Sequence, residues 1–438
     1  MSSIEYNSDL LEVLKRLDRL TDWERASRRS MRVGLEPILD LSGRLGNPHR
    51  MLRSIHVTGT KGKGSVSALI EAGLLKAGLR VGAYRSPHVE LITERISLLG
   101  RPVDEVQLAR ALEIVLDVYE DIKETATPAA SATWFDVVTC AAFWIFGRAN
   151  LDWAVVEVGI GGRLDSTNIV NAEVAVVTNV ELEHTEVLGS TREAIAFEKV
   201  GILKEGALLI TTLVPDDPAG AVVHERAREL GAKVVRTDLP SSAGIEDVNT
   251  RLASLVLEHV GSLAPDCASR NEGRVPVGAW LLDEGTRANA RLPGRMERFD
   301  VLIRSRQVPI ILDGAHVPFN LDLVLRDLRS QPELSGKCVA VVAIGIDKDA
   351  PGLLSVLSQH ADFIILTMLS HSRSCSMTSL HLLATSLGIP SQVEPDPSRA
   401  LDEVLRRAAN MGGWALVTGS MYLVGALRRE IAVGTSLI

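Results

Sequence analysis

A glycine-rich heptapeptide, Gly59-Thr60-Lys61-Gly62-Lys63-Gly64-Ser65, constrains the fold of this chain more than any other segment. It lies between an apolar run at residues 54–57, which predicts a β-strand, and residues 66–75, which predict a helix. A strand, a lysine-bearing glycine turn and a helix form the usual architecture of a phosphate-binding loop. Glycines let backbone N–H groups converge on phosphate oxygens, and the helix N-terminus adds partial positive charge. The segment therefore predicts an α/β fold with a phosphate site at this turn.

The spacing within the heptapeptide assigns roles to two side chains. Lys63 is expected to reach the outer phosphates of a nucleotide, and the Ser65 hydroxyl is expected to bind Mg²⁺. The standard pattern of such loops places the lysine directly before the hydroxyl residue, whereas Gly64 separates the two here. The inserted glycine therefore restricts the families of nucleotide-binding proteins to which this chain can belong. A glycine-rich turn without a ligand is the alternative, and the flanking strand and helix disfavour it.

Length and composition indicate a globular protein of two domains. A chain of 438 residues is too long for one ordinary hydrophobic core. Its 23% charged and 46% hydrophobic residues are typical of soluble proteins. The net charge of -8 gives no reason to expect nucleic acid or an anionic membrane as a partner. A polyanion such as ATP would need local positive charge, which the heptapeptide supplies.

Cysteine spacing and hydropathy predict the compartment. The four cysteines follow neither a metal-binding nor a disulfide pattern; they are Cys140, Cys267, Cys338 and Cys375. The N-terminus lacks the features of a secretory signal, and no apolar run approaches the ~20 residues that span a bilayer. We therefore expect a cytoplasmic protein, and we expect it to be a monomer.

Short apolar runs alternate with amphipathic stretches along the first part of the chain. The predicted strands are residues 55–57, 81–84, 154–158, 174–178, 208–212 and 234–236. The predicted helices are residues 9–20, 34–45, 107–122, 135–146, 191–203, 219–230 and 245–260. This alternation predicts a doubly wound, mostly parallel sheet.

A second α/β series follows a less regular segment. Residues 262–289 gather Pro, Gly, Asn and charged residues, which predicts a loop-rich region. The second series starts near Arg298, with predicted strands at 308–312, 338–344, 363–367 and 414–417 and helices at 321–328 and 398–407. We therefore expect a boundary near Arg295, which divides the chain into domains of residues 1–296 and 297–438.

Polar residues follow several of the predicted strands. Glu157 lies at the end of a buried strand, where a charge is costly unless it is paired or bound to a metal. Open α/β sheets bind ligands at the carboxyl ends of their strands, so a role for Glu157 as Mg²⁺ ligand is favoured over an ion pair with Arg163. The glycines that follow do not complete a dinucleotide-binding fingerprint, because Leu164 occupies its last glycine position.

Further candidates share this edge of the sheet. His184 follows the strand at 174–178, which favours a metal role, and Ser86 and His88 follow the strand at 81–84. Lys199 lies among apolar neighbours on a helix and by itself indicates a solvated or ion-paired lysine.

In the second series, Asp313 follows a strand, and Arg295 lies at the expected hinge, where a guanidinium could reach phosphates if the two domains close. Spacing alone does not separate these roles of Asp313 and Arg295 from ordinary surface ion pairs.

Taken together, these segments resemble the folylpolyglutamate synthase and dihydrofolate synthase family, the folate branch of the Mur ligases. The resemblance spans nearly the whole chain in order. Besides the heptapeptide, it rests on Gly34-Leu35-Glu36, Gly46-Asn47-Pro48, Ser86-Pro87-His88 with Glu94-Arg95, residues 157–165, His184, Lys199-Val200-Gly201-Ile202, Pro293-Gly294-Arg295, Asp313-Gly314-Ala315-His316 and residues 417–425.

The resemblance implies both a fold and a reaction. The fold would be a phosphate-loop ATPase domain of the Mur ligase type with a mostly parallel sheet, followed by a smaller Rossmann-like α/β domain. In this family ATP phosphorylates a carboxylate of a folate, and the amino group of L-glutamate attacks the acyl phosphate to form an amide. The implied cofactors are ATP and two Mg²⁺ ions, and K⁺ is a further candidate.

The resemblance also implies site residues. ATP would contact the heptapeptide together with Asn249, Arg295, Asp313 and His316. Ser65 would hold the nucleotide-bound Mg²⁺, while Ser86, Glu157 and His184 would hold the second ion. Lys63, His184 and Lys199 would be catalytic, and Lys199 stands where family members carry a carbamylated lysine. The implied substrate pocket consists of Arg32, Pro87, His88, Thr133, Phe135 and Ser166.

Several positions depart from the family pattern. Glu183 replaces the usual Asp before the metal-binding histidine, Val317 replaces Asn, and Asp136 stands where Glu is common. The segment Met31-Arg32-Val33 lacks the Asp associated with a dihydropteroate contact, which favours extension of folates that already carry glutamate.

Two alternatives stay open at this point. One is a Mur-type ligase for a carboxylate other than folate. It is disfavoured because only a short helical lead-in precedes Gly59 and because Gly64 stands where the cell-wall ligases have Thr. The other is a nucleotide-binding regulatory protein without catalysis, which the complete set of Lys63, Ser65, Glu157, His184 and Lys199 disfavours.

Overall fold

A mostly parallel sheet organises the first part of the chain. In the computed structural model, which describes residues 6–23, 34–240, 243–263, 274–369 and 374–435, the chain divides into two compact units, residues 1–290 and 291–438. The second unit thus begins a few residues before the boundary expected from the sequence.

The sheet of the first unit contains eight strands in the described residues. They are β1 (Ser54–Thr58), β2 (Val81–Tyr84), β3 (Ile96–Leu98), β4 (Arg101–Pro102), β5 (Trp153–Glu157), β6 (Val174–Val177), β7 (Leu208–Thr211) and β8 (Lys233–Arg236). Their order is β4-β3-β2-β5-β1-β6-β7-β8, and only the β2–β3 and β3–β4 pairs are antiparallel.

Helices cover both faces of this sheet, which is why its central strands are continuous apolar runs. The helices are α1 (Ser8–Leu17), α2 (Glu36–Arg44), α3 (Lys63–Lys76), α4 (Glu105–Ile122), α5 (Trp134–Arg148), α6 (Thr185–Leu188), α7 (Arg192–Val200), α8 (Pro218–Glu229), α9 (Ile245–Leu263) and α10 (Glu284–Asn289). Polar side chains cap several N-termini, among them Asn7, Asp104, Thr133, Thr191 and Asp217. One apolar cluster unites α1, α2, α4 and α5, and another lies between β6, β7, α7 and α8.

The second unit repeats the α/β arrangement on a smaller scale. Its described strands are β9 (Glu297–Ile303), β10 (Arg306–Leu312), β11 (Cys338–Val342), β12 (Phe363–Leu366), β13 (Ser391–Val393) and β14 (Trp414–Thr418). Their order is β13-β12-β11-β14-β10-β9, with β9 antiparallel at the edge. Its described helices are α11 (Pro318–Arg329), α12 (Ala350–His360), α13 (Met377–Ser386), α14 (Pro397–Met411) and α15 (Met421–Thr435).

The predicted α/β fold with a mostly parallel sheet and a smaller second α/β unit is confirmed, with local corrections. The segment 262–289, predicted to be loop-rich, contains the end of α9, a short 3-10 turn at Ala279–Leu281 and α10, whose N-cap is Asp283. Sequence analysis also missed β3, β4, β9 and β13. Within the described parts of the chain, none of the helices combines the length and apolar character needed to cross a membrane.

Candidate active site

The glycine-rich heptapeptide forms the turn between β1 and α3. Gly59 and Gly62 have φ angles of 149° and 88°, in the region that favours glycine. Gly62 is the N-cap of α3, so the helix begins at Lys63, inside the heptapeptide, and not at residue 66 as predicted. The unpaired N–H groups of the first helical turn therefore lie in the loop, where they and the helix dipole favour an anion.

Asn249 packs against this loop from α9. Its side chain is buried, and a Cβ atom added at Gly62 would lie 2.4 Å from its Oδ1 atom. Glycine at position 62 is therefore required both by the backbone angle and by the amide that covers it. The structure places Asn249 beside the loop, and its contact with a nucleotide stays a prediction.

Two residues that follow β6 hold the loop in place. Asn179 Oδ1 accepts hydrogen bonds from the backbone N–H groups of Thr60, at 3.1 Å, and Lys61, at 2.9 Å. The Thr178 hydroxyl donates to the Lys61 carbonyl at 2.6 Å. Sequence analysis missed both anchors, although polar residues directly after a buried strand mark the edge at which ligands bind.

The Lys63 side chain folds back across the turn. Its Nζ atom donates a hydrogen bond to the Gly59 carbonyl at 2.9 Å. The ammonium is thereby kept beside the backbone N–H groups that would bind phosphate oxygens.

Glu157 ends β5 at the same edge of the sheet. The strand register pairs it with Val57, so it lies beside the strand that leads into the loop. Its side chain is buried, and the Ser86 N–H group lies 3.4 Å from its Oε2 atom. Arg163, the alternative partner for Glu157, forms its ion pair with Glu198 at 2.8 Å. The structure therefore brings two of the predicted metal ligands, Glu157 and Ser86, together.

A metal site at this edge would be made largely of oxygen atoms. Ser65 lies in the first turn of α3, and His184 is the N-cap of α6 with a φ angle of 46°, which is uncommon for a residue other than glycine. Among the residues that the structure describes, no three His, Cys, Asp or Glu side chains converge as a metal cage. Mg²⁺ does not require one, because it keeps several waters and is bound through one or two carboxylates plus substrate phosphates. Ser65, Ser86 and Glu157 offer oxygen donors of the kind that this ion takes, and the joint role of these residues with His184 stays a prediction.

Lys199 forms a buried ion pair with Glu183. The Lys199 Nζ atom lies 2.6 Å from Glu183 Oε1, and the two side chains are 1% and 7% exposed. Burial lowers the pKa of Lys199, although the Glu183 carboxylate opposes that shift. Burial by itself raises the pKa of Glu183, but the charges of Lys199 and Lys63 hold it below its ordinary value. Lys199 is thus not the solvated lysine that its sequence context alone allowed.

A chain of buried polar groups shapes the segment after β5. Asp165 Oδ2 accepts from the Ile160 N–H group at 2.9 Å, and Asp165 Oδ1 accepts from the Thr167 hydroxyl at 2.5 Å. Thr167 Oγ1 in turn accepts from His56 Nε2 at 2.9 Å. Burial raises the pKa of Asp165 and lowers the pKa of His56 to about 3. These buried hydrogen bonds therefore fix the conformation of the loop that follows Glu157.

Three residues of the predicted substrate pocket meet next to this loop. Thr133 caps α5, and its N–H and hydroxyl groups both donate to Asp136 Oδ2 at 2.8 Å. The Ser166 hydroxyl donates to Asp136 Oδ1 at 2.6 Å. The Phe135 ring covers Gly159, because a Cβ atom added there would lie 2.7 Å from Phe135 Cζ. Burial raises the pKa of Asp136, the residue that stands where the family commonly has Glu.

The segment after β2 carries the other pocket residues. His88 Nδ1 accepts a hydrogen bond from Arg95 Nε at 2.8 Å, which places the ring proton on Nε2. Arg95 is fully buried and stacks on Trp134 with its Cζ atom 4.8 Å from the ring centroid. Pro87 is exposed, and Arg32 lies outside the described residues. The sequence indicated Arg95 only as part of a motif and Trp134 only as part of the segment from Thr133 to Phe135, without a separate role for either residue.

In the second unit, the predicted nucleotide contacts gather at the end of β10. Asp313 is buried and accepts hydrogen bonds from the N–H groups of Met296, at 3.0 Å, and Ala315, at 2.9 Å. The Arg295 guanidinium contacts Met421 Sδ. His316 Nδ1 donates to the Gly314 carbonyl at 2.9 Å. That these three residues contact a nucleotide stays a prediction.

Comparisons with known proteins agree with this arrangement. The Mur ligase middle domain matches residues 57–263, and the Mur ligase glutamate ligase domain matches residues 294–421. The chain is 32% identical to the dihydrofolate synthase/folylpolyglutamate synthase of Escherichia coli, over 77% of this chain and 78% of that protein. It is 30% identical to the folylpolyglutamate synthase of Lacticaseibacillus casei, over 91% of this chain and 94% of that protein.

A solved structure gives the same result over the full length. The bifunctional folylpolyglutamate synthase/dihydrofolate synthase of Yersinia pestis, complexed with AMPPNP and a Mn ion, matches this structure with a TM-score of 0.79. The two proteins are 28% identical, and the match covers 98% of this chain and 100% of that one.

Proposed function

Because this chain belongs to the folylpolyglutamate synthase and dihydrofolate synthase family of the Mur ligases, we propose that it uses ATP to join L-glutamate to a carboxylate of a folate. One observation carries the proposal. The phosphate-binding loop follows β1, and Glu157 ends the neighbouring strand β5. In the segment that follows β5, Gly159 packs against Phe135 of α5, and Ser166 shares Asp136 as hydrogen-bond partner with Thr133.

In the first step, an oxygen of the folate carboxylate attacks the γ-phosphorus of ATP, and ADP leaves. The backbone N–H groups of the loop and the Lys63 ammonium hold the phosphate chain so that this attack occurs in line. We assign His88 to the folate pocket, as the resemblance implies, and Phe135 supplies an apolar surface for the pterin or benzoyl group.

In the second step, the amino group of L-glutamate attacks the acyl carbon. The C–O bond to phosphate breaks, inorganic phosphate leaves, and the amine releases one proton. Phosphorylation makes this step feasible because phosphate is a far better leaving group than the oxygen of a carboxylate.

Divalent ions complete the proposed site. We assign one Mg²⁺ to Ser65 and a second to Ser86, Glu157 and His184, with K⁺ as a further cation to test. Bound there, the ions would neutralise negative charge on the transferred phosphoryl group. Their proximity to the loop is supported by the strand register that sets Glu157 beside β1.

The second unit would contribute Arg295, Asp313 and His316 to the nucleotide, as the resemblance implies. For Lys63, His184 and Lys199 we keep the catalytic assignment. We further propose a cytoplasmic monomer. We also propose that it has no nucleic-acid or membrane partner, which the net charge of -8 supports. We propose tetrahydrofolate that already carries glutamate as the preferred acceptor, because the segment at 31–33 lacks the acid associated with dihydropteroate.

The proposal is tested by product analysis. The protein is incubated with ATP, Mg²⁺ and L-glutamate, with dihydropteroate in one reaction and a tetrahydrofolate in another. We expect the mass of the tetrahydrofolate to increase by whole glutamyl residues, with one ADP formed per residue added. ATP consumption that needs a carboxylate other than a folate would reassign the substrate, and nucleotide binding without turnover would favour a regulatory protein.

A further inference from the structure

The cluster assigned to the folate pocket contains a buried acid without a role of its own, Asp136. It is the third residue of α5 and is 4% exposed, whereas Thr133, Phe135 and Ser166 are half-buried. Its carboxylate contacts both hydroxyl groups of this cluster. A buried carboxylate can hold neighbouring hydroxyl groups in one hydrogen-bonding state, because it accepts hydrogen bonds and donates none when it is ionised.

Both hydroxyl groups next to Asp136 donate to it. Thr133 Oγ1 lies 2.8 Å from Oδ2, and Ser166 Oγ lies 2.6 Å from Oδ1. Each hydroxyl has a single proton, so the two hydroxyl oxygens can only accept further hydrogen bonds. Burial raises the pKa of Asp136, but these hydrogen bonds oppose that shift because they favour the ionised form.

Ser166 has more unused acceptor capacity than Thr133. Thr133 Oγ1 also accepts from the Asp136 N–H group at 3.3 Å, as part of the N-terminal cap of α5. Within the residues that the structure describes, no donor reaches Ser166 Oγ, and the residue is half-buried. Ser166 can therefore offer acceptor lone pairs to a ligand.

The backbone at Ser166 is fixed as well as its proton. Ser166 begins a 3-10 turn whose N-cap is Asp165, and Asp165 Oδ1 accepts from the Thr167 N–H group at 3.0 Å. Earlier in the same segment, Gly159 packs against the Phe135 ring. A preorganised acceptor and an aromatic surface on one segment suit a flat heterocycle that carries N–H groups at its edge.

We propose that Asp136 is a positioning residue which makes Ser166 a hydrogen-bond acceptor for the folate ring, and that this acceptor selects reduced folates. Tetrahydrofolate has N–H groups at N5 and N8, whereas these two nitrogens carry no hydrogen in folic acid. An acceptor at this edge gains a hydrogen bond from the reduced ring and faces a lone pair of the oxidised ring. The proposal rests on the proposed function, because it concerns which folate the site takes.

The experiment compares kcat/KM for tetrahydrofolate with kcat/KM for folic acid at saturating ATP and L-glutamate. We expect the wild type to favour tetrahydrofolate, and we expect Asp136→Asn to lower this ratio about tenfold, as on loss of one hydrogen bond. The amide oxygen would stay with the Thr133 N–H group, so the amide NH₂ would donate to Ser166 and release its proton toward the ligand. An unchanged ratio in Asp136→Asn, or a wild type without preference, would overturn the proposal.

Ser166→Ala is the second variant, and it keeps the test decisive if Asp136→Asn does not fold. It removes the acceptor and leaves the buried acid in place, so we expect the same loss of preference for tetrahydrofolate. Asp104→Asn is the matched control, because Asp104 caps α4 and bonds only the Gln107 N–H group there. A wild-type ratio in Ser166→Ala would overturn the proposal.

Asp136→Glu separates hydrogen-bonding character from shape. Glu is common at this position in the family and keeps a group that only accepts, so we expect the wild-type ratio. An equal loss of preference in the Glu and Asn variants would show that shape alone matters and would overturn the proposal. A wild type that extends no folate would refute the proposed function, whereas an unchanged ratio among active variants would refute only this inference.

Discussion

Glu157 in the first unit and Asp313 in the second are both buried acids at the carboxyl ends of strands, yet their oxygens have different partners. Asp313 accepts short hydrogen bonds from the backbone N–H groups of Met296 and Ala315, so it fixes a turn. Glu157 has a long contact of 3.4 Å from the Ser86 N–H group and lies beside the phosphate-binding loop. The same pattern of sequence therefore holds a backbone turn in the second unit, whereas in the first unit it gives an acid for which we propose a metal-binding role.

The largest expected effect is on catalysis, in Glu157→Gln. This substitution keeps the shape of the side chain and removes the charge that we assign to Mg²⁺, so kcat should fall about 10³-fold, as on loss of one electrostatic stabiliser. Steady-state kinetics at several Mg²⁺ concentrations measure the change. Glu173→Gln is the matched control, because Glu173 precedes β6 at the opposite edge of the same sheet and pairs with Arg53. Equal kinetic constants in Glu157→Gln and Glu173→Gln would show that Glu157 is not part of the catalytic site.

The next effect is on stability, in Glu183→Gln. Loss of this charge leaves the buried Lys199 ammonium unpaired, which should lower the free energy of unfolding by about 3 kcal/mol at pH 7. The pKa of Glu183 is below its ordinary value of 4.5, so its contribution is present above that pH and is lost as the pH falls through the folded-state pKa. Urea unfolding between pH 7 and low pH should show the two proteins converging. If the free energies of unfolding of the wild type and Glu183→Gln differ by the same amount at every pH, this account is contradicted.

A smaller loss of stability is expected in Asp313→Asn. The amide can accept through one atom only, so one of the two backbone N–H groups loses its partner, at a cost of about 1–3 kcal/mol. Denaturant unfolding, with Asp300→Asn on the exposed side of β9 as control, measures this cost. No loss relative to the control would mean that Asp313 does not brace the turn, and the contrast with Glu157 would disappear.

The smallest expected effect is in Asn179→Ala. The side chain accepts from two N–H groups of the loop, and its removal should lower the free energy of unfolding by about 1 kcal/mol and increase the KM for ATP more than it changes kcat. Nucleotide titrations and unfolding curves measure both. An unchanged KM would indicate that the loop keeps its shape without this anchor.

Most of the fold was predictable because its central strands are buried on both faces and are therefore continuous apolar runs, as in Val81–Tyr84. The missed strands lie at a sheet edge or, in the case of β3, next to one, and they are short or half-exposed. For example, β9 alternates half-buried and exposed residues against a single neighbour. Its antiparallel pairing with β10 depends on a turn at Arg304 and Ser305, two non-glycine residues with positive φ angles, which local pattern does not indicate.

The site was predictable where one segment carries the chemistry and unpredictable where two distant segments combine. The heptapeptide indicates a phosphate site by itself. The partner of Lys199 is Glu183, which comes from a different element, and the partners of Asp313 are backbone groups that only the folded turn presents. Burial of Lys199 could not be read from its neighbours on α7, because its environment is set by tertiary packing.

Nucleotide binding by a matched pair of lysine variants tests the central claim most directly. Lys63 and Lys76 are the first and last residues of α3, and Lys76 pairs with Asp283 away from the loop. Calorimetric titration with AMPPNP and Mg²⁺ should show binding to Lys63→Ala weakened about 100-fold, as expected for loss of a charge-assisted hydrogen bond, and binding to Lys76→Ala like that of the wild type. Wild-type affinity in Lys63→Ala would contradict the assignment of this loop as the ATP site.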